Sequence, residues 1–170
     1  METKIKETRY WIIFFMTVLF LSGLTAIPLE RELSFLSRCI SITTPAGAWI
    51  DKVHIALADT NRNYPFLAYG YDWLAFAHFV LAILFIGPLK DPVRNKWVIE
   101  FAMIACGLII PFAFVAGHYR GIPVGWRLID CAFGVAGLIP LSICLFKISI
   151  IEKLNHKNSM IESKILQPQV

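Results

Sequence analysis

Four long apolar stretches divide this 170-residue chain and constrain its fold more than any other feature. A helix needs roughly 17–25 apolar residues to cross a bilayer core about 30 Å thick, and each stretch meets this length or nearly so. Only 16% of the residues are charged, whereas a soluble domain typically has about 25%. The sequence therefore predicts an all-α membrane protein, a four-helix transmembrane bundle. The predicted spans are residues 10–27, 73–89, 97–116 and 128–146.

The first stretch follows Lys4, Lys6 and Arg9, an arrangement that is also found in secretory signal peptides. The apolar region of a signal peptide is normally about 7–15 residues long, and this stretch is longer. Leu24 is also a poor residue for the third position before a cleavage site. We therefore expect a retained membrane span.

Basic residues are concentrated in three of the segments that flank the spans. The N-terminus, the turn between the second and third spans and the C-terminal tail hold ten of the 16 Lys and Arg residues. The positive-inside rule places these segments in the cytoplasm, so both termini are expected there, in a plasma membrane or an inner membrane. This bias explains the net charge of +4. No basic stripe indicates a nucleic-acid partner.

The connection between the first two spans, residues 28–70, is far longer than the usual 4–6 residues or so. It predicts an outer cap of one or two short amphipathic helices. The first covers residues 29–39. The second begins at Thr44 and Pro45, a good cap followed by proline at the first helical position, and runs to about Ala58. A turn is expected at residues 61–65. The spans and cap form a domain of residues 1–154, and residues 155–170 form a polar, mobile cytoplasmic tail.

Ionisable side chains at membrane depth are the candidate functional residues, because such groups are expensive in lipid and usually face one another. At 1.5 Å per helical residue, Asp72 is expected about 3 Å below the outer boundary, Asp130 about 6 Å and His78 about 12 Å. His54 of the cap can approach them. The predicted ligand-binding set, expected to form one polar cluster beneath the cap, is Asp72, His78, His118, Arg120, Arg127, Asp130 and His54.

Each of these residues also has a purely structural interpretation. Arg127 and Asp130 are three positions apart and suit a helix-end ion pair. Asp72 suits the start of a helix or a pair with Arg120. His78 suits a hydrogen bond to the carbonyl of a neighbouring helix. His118 at the rim suits simple solvation.

Cofactor and metal sites are weakly indicated. A haem held by two histidines needs both at one depth, and His78 and His118 are expected to differ by roughly 12 Å. His54, His118, Asp72 and Asp130 have the residue types of metal ligands, but their spacing does not require a metal. The four cysteines show no disulfide or zinc pattern. We assign no metal and leave the cofactor unknown.

The layout of four spans with a long structured first connection resembles the EXPERA-type proteins, which include sterol isomerases and sterol-binding receptors. Arg127-Leu128 at the start of the fourth span, and Leu138-Ile139-Pro140 within it, are similar to patterns of that family. The resemblance implies acidic residues in the first two spans. Here residues 10–27 contain no acid, and the second span has only Asp72 at its edge. No site residue is transferred from the family.

Two functions of different classes remain. In one, the bundle binds a lipid-like or other amphipathic small molecule in an outward-facing polar pocket, with or without acting on it. In the other, the protein is a structural or accessory subunit of a membrane complex, and its polar contacts only hold helices together. Membrane lipids are partners in both, and a second copy or a partner subunit is compatible with both. The paired inverted halves of a transporter are absent from the sequence.

Overall fold

The computed structural model describes residues 2–165, and the regular secondary structure in this range is helical throughout. The helices are α1 (Glu2–Ala26), α2 (Leu29–Cys39), α3 (Pro45–Asn63), α4 (Tyr69–Leu84), α5 (Ile86–Lys90), α6 (Lys96–Tyr119) and α7 (Val124–Ile165), with a 3₁₀ turn at Pro65–Leu67. Four helical segments are long and apolar enough to cross a membrane: Glu2–Ala26, Pro65–Lys90, Lys96–Tyr119 and Val124–Ile161. The predicted all-helical, polytopic membrane class is confirmed. The arrangement of the spans as a bundle stays a prediction.

The connection between the first two spans contains α2 and α3. Thr44 caps α3, because its side chain accepts the backbone N–H of Gly47 at 3.0 Å. The turn predicted at residues 61–65 begins later than expected, since α3 continues through Asn63. The helix ends where Tyr64 donates its N–H to the carbonyl of Thr60 at 2.7 Å, just before Pro65. Proline disfavours helical geometry in the residue before it, which explains the end.

The second predicted span is not one continuous helix. α4 ends at Leu84 and the short α5 begins at Ile86. Pro88 lies inside α5, and its missing N–H leaves the carbonyl four residues earlier without its helical partner. A tight turn follows α5, and side chains close it. Asp91 Oδ1 accepts the Arg94 N–H at 3.0 Å, and Asn95 Nδ2 donates to the carbonyl of Gly87 at 3.1 Å.

The chain divides into two compact units. The terminal unit contains the residues up to Met16 and those from Leu84 onward, and the middle unit is Thr17–Ile83. The terminal unit has an apolar core at which the first half of α1 meets α6 and α7. The fully buried members of this core are Ile12, Phe85, Val98, Ile99, Ala102, Leu141, Cys144 and Ile148.

Small residues allow α6 and α7 to approach closely within the terminal unit. A Cβ atom on Gly134 would lie 2.7 Å from the carbonyl oxygen of Cys106, and one on Gly137 would lie 2.9 Å from the Cys106 sulfur. Real side chains essentially never make contacts this short, so both positions need glycine. Small residues of this kind let membrane helices pack closely against each other.

Ion pairs surround one end of this core. Lys96 Nζ lies 3.2 Å from Glu152 and 3.9 Å from Glu100. Lys147 pairs with Glu7. These ion pairs neutralise charged side chains near one end of the core, which lowers the free energy of placing them beside lipid.

The helix α7 is 42 residues long and extends well past the fourth apolar stretch. It includes the start of the predicted tail, residues 155–170, and continues as helix to Ile165. Residues 155–161 are exposed. Met1 and the last five residues of the predicted tail lie outside the described range. The boundary between domain and tail stays a prediction.

Candidate functional site

The seven predicted site residues are divided between the two units. His54, Asp72 and His78 belong to the middle unit, and the remaining four belong to the terminal unit. No hydrogen bond or ion pair between described residues joins members of the set inside either unit. The single polar cluster predicted from their depth therefore stays a prediction.

Asp72 lies in the first turn of α4, in a small cleft on one face of that helix. Tyr69, Trp73 and Phe76 line the cleft with it, and the cavity volume is about 210 Å³. Helical spacing of three and four residues places these side chains on one face. The Trp73 ring meets the Tyr69 ring edge to face at 5.8 Å and the Phe76 ring at 5.5 Å. The cleft is thus a carboxylate among aromatic rings.

The carboxylate of Asp72 is exposed and makes no hydrogen bond or ion pair with the part of the chain that the structure describes. The three aromatic side chains beside it are also more than half exposed. An unneutralised carboxylate bordered by aromatic faces attracts cations, because both the charge and the ring quadrupoles favour a positive group. The cleft therefore combines a negative charge with aromatic faces, two features that both favour a positive group.

A hydrogen-bond chain next to Asp72 fixes the start of α4. Tyr71 donates its hydroxyl to Asn61 Oδ1 at 2.6 Å, and Asn61 Nδ2 donates to Glu30 Oε2 at 2.6 Å. The chain joins α2, α3 and the first turn of α4 within the middle unit. Sequence reasoning missed it, because Asn61 suggested a turn. The sequence carries no amphipathic signal for it, because residues 59–63 are all polar.

His78 has a local hydrogen bond and a close helix contact. Its Nδ1 lies 2.8 Å from the carbonyl oxygen of Leu74, four residues earlier on its own helix, and not on a neighbouring helix as the structural interpretation expected. A Cβ atom on Gly23 of α1 would lie 2.8 Å from the His78 Cβ. The space around His78 is therefore filled by α1, and its position is that of a packing residue.

His54 is on α3, partly buried, in the middle of an amphipathic helix. The apolar face of this helix turns inward, since Ile50 is buried and Val53 is partly buried. Lys52 on the other face is exposed, and its ammonium lies 5.7 Å from the centre of the Trp49 ring. His54 therefore borders the packed face of α3.

Arg127 holds the turn between α6 and α7. Its Nε donates to the carbonyl of Ile122 at 2.7 Å, and its side chain fills the space above Gly117, where a Cβ atom would lie 2.8 Å from the Arg127 Cδ. The proposed ion pair between Arg127 and Asp130 is not formed. The guanidinium instead donates to the backbone of the turn, because the chain reversal leaves a carbonyl there without a helical partner.

The other three predicted site residues of the terminal unit make no side-chain hydrogen bond or ion pair with described residues. His118 and Arg120 are exposed, and the His118 ring meets the Tyr119 ring edge to face at 5.8 Å. Arg120 precedes Gly121, whose φ of 67° is the left-handed conformation that glycine adopts without strain. Asp130 is partly buried, and no described residue of the terminal unit pairs with it.

No group of three or more His, Cys, Asp or Glu side chains within the described range is close enough to hold a metal ion. Comparisons with protein-family models, with characterised proteins and with solved structures find no match to this chain.

Proposed function

We propose that this integral membrane protein binds an amphipathic small molecule with a cationic head group at the Asp72 cleft. The observation that supports this function is the free, exposed carboxylate of Asp72 between the rings of Tyr69, Trp73 and Phe76. A carboxylate neutralises an ammonium group, and aromatic faces contact its alkyl substituents by cation–π attraction. The ligand class is an amphipathic amine.

The size of the cleft suits a head group and not a whole ligand. Its volume of about 210 Å³ is below the roughly 300–1,000 Å³ of a pocket for a drug-sized molecule. Below the cleft, the exposed side chains of α4 are apolar, including Val80 and Ile83. A hydrocarbon tail can extend along this surface while the head group stays with Asp72. The proposed ligand thus resembles a membrane lipid in shape.

We also propose the orientation that the basic residues predict, with both termini in the cytoplasm and the cleft near the opposite membrane surface. Asp72 then meets ligand from the outer leaflet or the outer solution. The network of Tyr71, Asn61 and Glu30 supports this role. Its hydrogen bonds attach the first turn of α4, which contains Asp72, to α2 and α3. A fixed first turn reduces the entropy lost when a ligand binds.

The second candidate is a structural or accessory subunit of a membrane complex. The hydrogen bonds of His78 and Arg127 favour it, since both side chains serve nearby backbone carbonyls. They leave Asp72 unexplained, which is why ligand binding is preferred. In this alternative, Asp72 pairs with a basic residue of a partner subunit.

Binding of a dansyl-labelled alkylamine to the protein in nanodiscs of neutral lipid tests the proposal. Energy transfer from tryptophan reports the bound probe. Asp72→Asn is expected to weaken binding about tenfold, because the neutral amide loses a charge-assisted contact. Asp51→Asn is the matched control, since it removes a carboxylate from α3 of the same unit. A matched aromatic pair is Phe76→Leu inside the cleft and Phe66→Leu outside it.

The uncharged alkyl alcohol of equal length, with the same label, separates head-group recognition from tail partitioning. Equal binding of the amine to wild type and Asp72→Asn would contradict the proposal. If the amine does not bind either protein while Asp72→Asn disrupts a purified complex with another subunit, the accessory role is supported.

A further inference from the structure

A second cavity, in the terminal unit, has the chemistry of an anion site. It lies within the terminal unit and has a volume of about 380 Å³. Three separate parts of the chain line it: the start of α1, the turn between α5 and α6, and the part of α7 beyond the fourth apolar stretch. Its basic side chains are Arg9, Lys90 and Arg94.

These three basic residues differ from four lysines of the same unit. Lys4, Lys6, Lys96 and Lys147 each lie within 4 Å of a glutamate. No described carboxylate lies within that distance of Arg9, Lys90 or Arg94. A glutamate thus neutralises each of these four lysines, whereas the three cations that line the cavity have no described carboxylate partner.

One carboxylate also lines the cavity, that of Asp91. Its Oδ1 accepts the backbone N–H of Arg94 at 3.0 Å, so part of its negative charge is used to close the turn. Three cationic side chains and one carboxylate leave a formal charge of +2 in the cavity. This charge attracts an anion of one to two negative charges.

A hydrogen bond joins two of the segments that line the cavity. The Arg9 guanidinium donates from Nη2 to the carbonyl of Lys90 at 2.8 Å, which joins α1 to the end of α5. Its remaining N–H groups have no acceptor among the described residues and stay available to a ligand. Ile151 and Pro92 are buried and form apolar lining, and Asn155 adds an amide. The cavity therefore has both a cationic and an apolar part.

The position of the cavity along the chain places it at a membrane surface. Arg9 comes directly before the first apolar stretch, and Lys90 comes directly after the second. Basic pockets between spanning helices at this level bind lipid head groups that carry phosphate. We propose that Arg9, Lys90 and Arg94 form a binding site for a phosphate group, the head group of an anionic phospholipid being its natural form.

The test uses the full chain and two variants that each lose three positive charges from the same end. The cavity variant is Arg9→Gln/Lys90→Gln/Arg94→Gln, and the control variant is Lys4→Gln/Lys6→Gln/Lys153→Gln. Native mass spectrometry from nanodiscs measures how much phosphatidylglycerol each protein retains relative to phosphatidylcholine and diacylglycerol. Inorganic phosphate, followed by phosphorus NMR on the protein in uncharged detergent, is the arm for a soluble source.

We expect the retention of phosphatidylglycerol by the cavity variant to fall about fivefold per removed charge, on the order of 100-fold in total. Each Lys or Arg near a lipid phosphate contributes about this factor to binding. The control variant should retain the lipid like wild type. If phosphatidylglycerol shows no preference but inorganic phosphate binds with the same dependence on the three residues, the site is confirmed and its phosphate comes from solution.

The single variant Asp91→Asn gives a test that does not depend on the folding of the triple variant. It removes the one negative charge of the cavity, while its amide oxygen can still accept the Arg94 N–H. Retention of phosphatidylglycerol should rise about fivefold. Unchanged or lower retention in Asp91→Asn, or equal losses in the cavity and control variants, would overturn the proposal.

Discussion

Glu7 and Lys147 are 140 positions apart in the sequence, and their side chains form an ion pair between α1 and α7. The two partners are unequally exposed. The Lys147 side chain is 16% exposed and the Glu7 side chain 42%. Loss of the pair should therefore affect Lys147 more than Glu7, because a largely buried ammonium without a counter-charge raises the free energy of the folded state.

The first prediction follows from this asymmetry. Glu7→Gln should lower the thermal midpoint of unfolding, since it leaves Lys147 unpaired beside the apolar core. Glu2→Gln is the matched control, because its partner Lys6 is 72% exposed, and exposed pairs contribute little. Differential scanning fluorimetry in one detergent compares them. Equal midpoints for the two variants would show that the long-range pair does not stabilise the fold.

The second prediction concerns the contact of α7 with α6. Gly134→Ala should destabilise the protein by about 1–3 kcal/mol, because the new methyl group meets the backbone carbonyl of Cys106, which has little freedom to move. Gly125→Ala in the same helix meets nothing within 4 Å. The control should be neutral or more stable by roughly 0.5–1 kcal/mol, because alanine favours helix. Reversible unfolding in mixed micelles measures both, and similar effects would contradict the close approach.

The third prediction concerns the start of α3. Thr44→Ala removes the side-chain oxygen that accepts the Gly47 N–H and should destabilise the first turn by about 1 kcal/mol. Hydrogen exchange of the amides at the start of α3 should become faster. Thr60→Ala in the same helix removes a hydroxyl that bonds to the Ala56 carbonyl and has no capping role. An equal change in exchange for the two variants would argue against the cap.

The fourth prediction compares two trypsin sites. Lys52 is in α3, whose neighbouring Ile50 is buried, whereas Lys157 is in the exposed end of α7. A helix without tertiary contacts is marginally stable and opens often. Limited proteolysis of the full chain should therefore cut at Lys157 well before Lys52. Comparable rates at the two sites would mean that α3 opens as readily as the end of α7.

The fifth prediction tests the orientation. Cys39 is exposed, while Cys131 and Cys144 are buried and Cys106 is partly buried. A membrane-impermeant maleimide should label Cys39 in intact cells, and Cys39→Ser should abolish the labelling. Labelling that requires permeabilised cells would reverse the proposed topology.

Features that depend on neighbours in the chain could be predicted from the sequence. The four spans follow from apolar composition, and the cap at Thr44 follows from one hydroxyl and the proline after it. The helix break at Phe85 could also have been predicted, because Pro88 removes a backbone hydrogen-bond donor within the second span. Local chemistry of this kind acts within about one helical turn.

Side-chain partners could not be predicted in the same way. Arg127 and Asp130 have the spacing of a pair, yet the guanidinium binds the carbonyl of Ile122, which the geometry of the chain reversal makes available. Asn61 has a residue type that is common in turns, but Glu30 and Tyr71 supply partners that keep it in a helix. Such choices depend on the positions of residues far away in the sequence. For the same reason, the candidate site reduces to Asp72, the predicted residue whose unpaired carboxylate lies in a cleft among aromatic rings.

The length of α7 has a practical consequence for experiments on this protein. Its 42 residues extend about 63 Å at the rise of an α-helix, roughly twice the thickness of a bilayer core. A spin label or fluorescent group attached near Asn155 is therefore carried on the same continuous helix as the fourth apolar stretch. Its distance to a second probe changes with rotation or tilt of that helix, so it reports movements of the apolar segment from an exposed position.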